Sequence, residues 1–326
     1  MFKPHSQALF CLLLGVSIGL RAETELEKAA RLIKARDFQT AQVVLDRAVQ
    51  ADPRNAEAWC LMGELQWATQ NPRNAVEFAD RAIQLNPAKA NYHVLRGNAL
   101  GNLAQQANVF RALNLAGEAR SSLEKAVQLE PGNRAAFLAL FNYYFNVPSI
   151  AGGSLDKAKA LSEHTQVLDP SRGHFMKGQI LQRQKNPGAA QAEYRLALVA
   201  DPQFSIVYNM LGGLELEMKQ VDMALDHFRK QVELTPVDAN SWDSLGEGWM
   251  AKGNLDEAIK AYRMALSLDP MFSYSMRGLG KALEQAGRRD EAIQHYRICA
   301  QLGVQHGVKP LVAESKKRLS VLGVKE

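Results

Sequence analysis

The chain has 326 residues, 47% of them apolar and 22% charged, with a formal net charge of +5. So small an excess lacks the dense basic footprint of a nucleic-acid-binding protein, and three cysteines are too few for a disulfide-stapled scaffold. A globular chain of this length ordinarily divides into two domains, whereas one that grows by repetition stays a single array.

The first 22 residues read as a targeting segment. Lys3 precedes an uncharged apolar stretch from Ala8 to Leu20, with small residues at Gly19 and Ala22. That is the pattern of a secretory signal peptide, and the stretch falls short of the roughly 20 residues that span a bilayer. Cys11 sits inside the stretch rather than closing it, so lipidation is not expected. Removal after Ala22 takes away Lys3 and Arg21 and leaves 37 cations against 34 anions. The expected location is exported, periplasmic or secreted, with no integral membrane span once the segment is gone.

From residue 23 to 303 the chain repeats a two-helix pattern about eight times. The copies run through Leu32, Phe38, Ala41, Leu45, Ala48 and Pro53, then Trp59, Met62, Gly63, Ala75, Ala82 and Pro87, then Gly97, Leu100, Ala119, Leu123, Ala126 and Pro131. Two degenerate copies follow: Phe137, Leu140, Tyr144, Ala158 and Pro170, and Gly178, Leu181, Ala190, Tyr194, Ala197 and Pro202. Tyr208, Leu211, Gly212, Ala224, Phe228 and Pro236 restore the pattern. The clearest copy places Trp242, Leu245, Gly246 and Trp249 at i, i+3, i+4 and i+7, one helix face, and Ala258, Tyr262 and Ala265 on a second. Gly253 and Asn254 make the turn between them, and Pro270 closes the unit. Leu279, Gly280, Ala292, Tyr296 and Cys299 form a last copy without a proline. Beyond it, Lys309 to Leu322 reads as a capping helix opened by Pro310, apolar on one side and basic at Lys316, Lys317 and Arg318.

Three intervals between successive closing prolines are 34 residues, and the array is irregular over 88–202. The 44 residues from Pro87 to Pro131 lengthen one hairpin around Gln105 to Ala116. The 39 from Pro131 to Pro170 place a loop at 146–154, marked by Pro148, Gly152 and Gly153. The 32 from Pro170 to Pro202 predict a tightened turn near Asn186 and Pro187.

This recurring pattern resembles the tetratricopeptide repeat (TPR) family. The resemblance implies an all-α solenoid of helical hairpins in a right-handed superhelix with a C-terminal capping helix, and a protein or peptide partner bound in its concave groove. Carried over onto the first helix of each hairpin, the groove positions are Glu57, Cys60, Glu64, Asn91, Asn98, Asn142, Phe175, Gln179, Arg183, Asn209, Asn240, Asp243, Glu247, Tyr274, Arg277 and Lys281. Acids at Glu64, Asp243 and Glu247 disfavour the family's clamp for carboxy-terminal peptides, and the asparagines suit an extended backbone.

Chemistry is sparse elsewhere. No metalloprotease, redox-cysteine, nucleophile-elbow or phosphate-loop motif is present, so no catalysis, cofactor or metal is expected. His93 and His174 are expected as packing rings, and His227 and His295 as solvated. Cys299 sits at a core position, while Cys60 has the placement of a reactive thiol. The expected function is a non-catalytic scaffold or adaptor. The alternatives are an accessory subunit of a cell-envelope enzyme or secretion complex, an enzyme with a site in the inserted loops at Ser149, Ser154 and Asp156, and self-association.

Overall fold

The computed structural model describes residues 23–324, so the expected signal segment at 1–22 lies outside the described residues. Among these the chain is all-α, with seventeen helices and no strand. It divides into two compact units between Ala136 and Phe137. The first holds α1 (Glu25–Lys34), α2 (Phe38–Ala51), α3 (Ala56–Ala68), α4 (Pro72–Leu85), α5 (Ala90–Gln105) and α6 (Val109–Leu129). Helix α7 (Arg134–Asn146) opens in its last residues. The second unit continues through a 3-10 turn at Ser149–Ala151, α8 (Leu155–Leu168), α9 (Pro170–Arg183), α10 (Pro187–Ala200), α11 (Ser205–Glu217) and α12 (Val221–Leu234). It ends with α13 (Ala239–Lys252), α14 (Leu255–Leu268), α15 (Ser273–Gln285), α16 (Arg289–Gln305) and α17 (Lys309–Val321).

Glycine brings the two helices of a hairpin together. Gly178, Gly212, Gly246 and Gly280 face the rings of Tyr194, Phe228, Tyr262 and Tyr296, each sixteen residues further on. A Cβ on any of them would stand 2.4–2.6 Å from a ring atom. All four rings are buried, and each removes on the order of 150–250 Å² from water. In the first unit Gly97 meets Leu123 of its own hairpin, whereas Gly63 meets Leu95 on α5, the first helix of the next hairpin.

A second recurring contact ties each repeat to the loop before it. Trp59 Nε1 and Trp242 Nε1 donate to the carbonyls of Pro53 and Pro236, at 3.0 and 2.9 Å, and the Tyr208 hydroxyl donates to Pro202 at 3.2 Å. His93 Nε2 takes the same place over Pro87 at 3.0 Å, as a ring standing in for tryptophan. Each bond gives a loop carbonyl the partner that helix geometry would otherwise supply. The turn inside a hairpin needs a left-handed residue. Gly253 and Gly287 provide it at little cost, but Arg36, Gln70, Lys185 and Lys219 adopt φ near 60° with side chains attached.

The irregular middle is helical where it is long and taut where it is short. Helix α5 has 16 residues against 13 in α3, and α6 has 21 against 14 in α4, which together absorb the ten extra residues. The segment at 146–154 is a loop, folded back by the Tyr143 hydroxyl donating to Ala151 O at 2.6 Å and the Ser154 N–H donating to Tyr144 O at 2.9 Å. Gly153 is obligatory there, since a Cβ would fall 1.7 Å from Val147 O.

The two-residue shortening is not at Asn186 and Pro187, whose turn matches its neighbours. It lies at the α8–α9 junction, where Pro170 already begins the helix and Asp169 is both the C-cap of α8 and the N-cap of α9. The helices are so close that a Cβ on Gly173 would stand 2.2 Å from Gln166 Cα. At the far end α17 caps the array. Leu319 is buried in the cluster built on Tyr262 and Tyr296, and Arg318 Nε donates to Glu284 at 2.9 Å.

Two adjacent glycines separate packing from propensity. Gly212→Ala is expected to cost about 1–3 kcal/mol by forcing Phe228 off its seat. Gly213 has nothing within 4 Å of where a methyl group would stand, so Gly213→Ala should gain about 0.5–1 kcal/mol. Urea unfolding of the two variants measures both, and a common sign would refute the glycine–ring argument.

Candidate functional site

In the first unit the first helices α1 and α3, and α3 and α5, pack on one another, and in the second unit α11 packs on α13 and α13 on α15. Among the described residues no pair of second helices meets as broadly. The first helices therefore form the inner face of each unit, and their side chains at the positions flanking each glycine line it.

In the second unit these side chains enclose a cleft of about 660 Å³, within the range of binding sites. Asp243 and Glu247 stand on α13, and Tyr274, Arg277 and Lys281 on α15, over Leu216, Met250 and Tyr262. The structure thus gathers five of the expected groove residues at one place. Asp243 is buried and accepts a 2.6 Å hydrogen bond from the buried Ser275 hydroxyl, which pins α13 to α15. Burial raises its carboxyl above the usual range, with Ser275 and Arg277 pulling the other way. Glu247 is more open, yet crowding by the cleft wall raises its carboxyl too, and the neighbouring Asp243 adds to this. Arg277 stacks its guanidinium 5.3 Å from the centre of the exposed Tyr274 ring and donates from Nε to Ser273 O at 3.4 Å. Glu247 and Lys281 make no hydrogen bond or ion pair among the described residues.

The remaining expected residues are dispersed. Asn209 is spent inside the fold, its amide donating to Gln231 Oε1 at 3.2 Å and to Ser244 Oγ at 2.5 Å. Asn91 accepts from the Asn133 amide at 3.0 Å. Asn98 is half-buried, and Asn142 and Asn240 are exposed. Gln179 buries its carbonyl oxygen without a partner. Arg183 stacks on Phe145 and donates to its carbonyl, so it braces α9 against the end of α7. Phe175 is core, against Tyr194 and Phe204.

In the first unit Glu57 accepts from the Tyr92 hydroxyl at 2.9 Å, and burial with Glu57 nearby raises the Glu64 carboxyl. Cys60 is not a reactive thiol: it is 2% exposed, and burial followed by the charges of Glu64 and Glu57 pushes its pKa up. Cys299 is buried as expected, its thiol raised to about 11. In the inserted loop Ser154 caps α8 by accepting the Lys157 N–H.

Three histidines differ from expectation. His295 is buried rather than solvated, donates to Met276 O at 2.7 Å, and has its pKa lowered by burial. His227 is half-buried, its Nδ1 2.7 Å from a carboxylate oxygen of Glu215. His174 is less a packing ring than a polar link, with Nδ1 2.6 Å from Glu193 and Nε2 3.0 Å from the Gln166 amide. Sequence reasoning missed Glu215, which has no exposed surface and is held by His227, by Gln191 at 3.0 Å and by Arg195 at 3.7 Å. Its signal was present: an acid on the same helix stripe as the buried Leu211 and Leu214. No group of three or more His, Cys, Asp or Glu among the described residues could hold a metal ion, and no described helix is long and apolar enough to cross a membrane.

Residues 32–99, 171–204 and 246–302 each match the tetratricopeptide repeat family. Comparison with curated proteins gives no match. Among solved structures, the crystal structure of the APC/C hetero-tetramer Cut9-Hcn1 is similar with a TM-score of 0.53 at 15% identity, over 81% of this chain and 49% of that one. This chain therefore spans about half the length of that neighbour. TTC0263, a thermophilic TPR protein of Thermus thermophilus, is similar with a TM-score of 0.43 at 17% identity, over 69% of this chain and 97% of that one.

Raised carboxyls carry a sign. In the window between the ordinary carboxylate pKa and the raised one, the folded state of Asp243 and Glu247 binds more protons than the unfolded state, so stability falls as pH rises. Glu247→Gln is expected to raise Tm at neutral pH and to flatten the gain that the parent shows on mild acidification. A lowered Tm at neutral pH would mean that the charge is compensated in the fold.

Proposed function

This chain is a tetratricopeptide repeat protein, and on that premise we propose that it is a non-catalytic adaptor that seats an extended segment of a protein partner on the inner face of its first helices. The observation that carries the reading is the cleft between α13 and α15. Its walls hold charged groups that the fold leaves without partners, and an unpaired charge on a concavity is costly unless something binds there. The small net charge supports a protein partner over nucleic acid. The signal-like residues 1–22 support action in an exported compartment, as a scaffold or as the accessory subunit of an envelope complex.

Affinity capture from the native cell envelope tests this. The variant Glu247→Ala with Arg277→Ala and Lys281→Ala should retain its helical circular dichroism and lose about tenfold or more of the captured partner, while Lys230→Ala on a second helix should capture like the parent. Equal capture by all three proteins would sink the inner-face reading.

A further inference from the structure

Glu247 and Lys281 occupy the same place in successive repeats, one residue after Gly246 and Gly280, and so stand side by side on neighbouring first helices. They carry opposite charges, both face one cleft, and they do not bond to each other. Each wall is backed by a second group of its own sign: Asp243, fixed by Ser275, behind Glu247, and Arg277, splayed over Tyr274, beside Lys281. The cleft is therefore an electric dipole across its width, acidic on α13 and basic on α15. Axes of packed helices lie about 8–10 Å apart, and an extended chain advances about 3.3 Å per residue. A strand crossing from α13 to α15 covers that span in about three residues.

We propose that the cleft selects an extended, dipolar peptide segment, with a lysine or arginine seated on Glu247 and a carboxylate about three residues away seated on Arg277 and Lys281. This rests on the adaptor reading above and adds the chemistry of the partner. Complementary charge sets which segment is accepted and in which direction it lies, more than how tightly it is held. Tyr274 at the lip and Met250 with Leu216 below give the intervening side chains an apolar bed. Crowding by the cleft wall already disposes Glu247 to take up a proton above the ordinary carboxylate range, so discrimination for the cationic residue fades on mild acidification.

The probes are fluorescein-labelled synthetic peptides in a neutral, extended background, carrying Lys-X-X-Glu, Glu-X-X-Lys, or glutamine at both places, titrated by anisotropy against the mature protein. One charged order should bind about tenfold more tightly than the other and than the uncharged peptide, with the difference shrinking in high salt. The double variant Glu247→Lys with Lys281→Glu, which sets a charge of the opposite sign beside Asp243 and beside Arg277, should lose the preference for one order. Equal binding of all peptides, binding of none, or an order preference unchanged in the swapped variant overturns the proposal. So does a dimer seen by light scattering that the swap abolishes, since the occupant would then be a second copy of the chain. If the peptides fail while the triple alanine variant still loses its captured partner, the adaptor reading stands and only the dipolar chemistry is wrong.

Discussion

A ring pressed onto a backbone that carries no side chain is the contact from which the rest of this architecture follows. The pairs Gly178–Tyr194, Gly212–Phe228, Gly246–Tyr262 and Gly280–Tyr296 set how closely two helices of a hairpin approach. The exclusion of even one methyl group makes the approach a fixed quantity rather than an average. Repeated at 34 residues, it gives each hairpin the same thickness, so successive hairpins stack with first helix on first helix. The inner face is then a by-product of packing on the other side of the same helices. Position one after each glycine is left unconstrained by the ring, and there the chain places Glu64, Asn98, Gln179, Gly213, Glu247 and Lys281. Packing decides where a residue stands, and solvent or a partner decides which residue stands there.

Much of this is legible without coordinates because both elements of the contact leave a mark in sequence. The glycines, rings and small residues recur in register, and the closing prolines punctuate them. The helix pair, the loop at 146–154 and the last helix follow from patterns that local chemistry controls. Proline spacing points to the wrong turn for the shortening between Pro170 and Pro202, because it measures a whole repeat. Counting from Gly178 instead shows that the loss lies before the glycine, at Asp169. The bonds from Trp59, Tyr208 and Trp242 to proline carbonyls six residues earlier are also written as a spacing, though one visible only once the loop geometry is known.

Polar groups are less predictable, since their fate depends on neighbours distant in sequence. Asn209 and Asn240 look alike in the repeat pattern, but Gln231 and Ser244 take up the first and leave the second exposed. Glu215 and His227 meet at 2.7 Å across α11 and α12, a contact that no single helix pattern reveals. Cys60 has the right register for the inner face, but its shell of Ala79, Tyr92 and Leu95 closes over the sulfur. Among the charged groove residues expected on α13 and α15, Glu247 and Lys281 make no ion pair with a second helix among the described residues, while Asp243 is taken up by Ser275.

The junction at Asp169 bears on mechanics. Elsewhere in the second unit consecutive hairpins are joined by four residues, as between α10 and α11 or α12 and α13, and such a link has torsional slack. One residue shared by two caps has almost none, and Gly173 lies against Gln166 with no room to slide. Under tension, or when a partner wedges neighbouring helices apart, compliance will concentrate in the longer links and α8 and α9 will move as one piece. The repeat with the fewest residues thereby becomes a rigid splint, against which the flexible coils of the same unit can be bent and from which they can spring back.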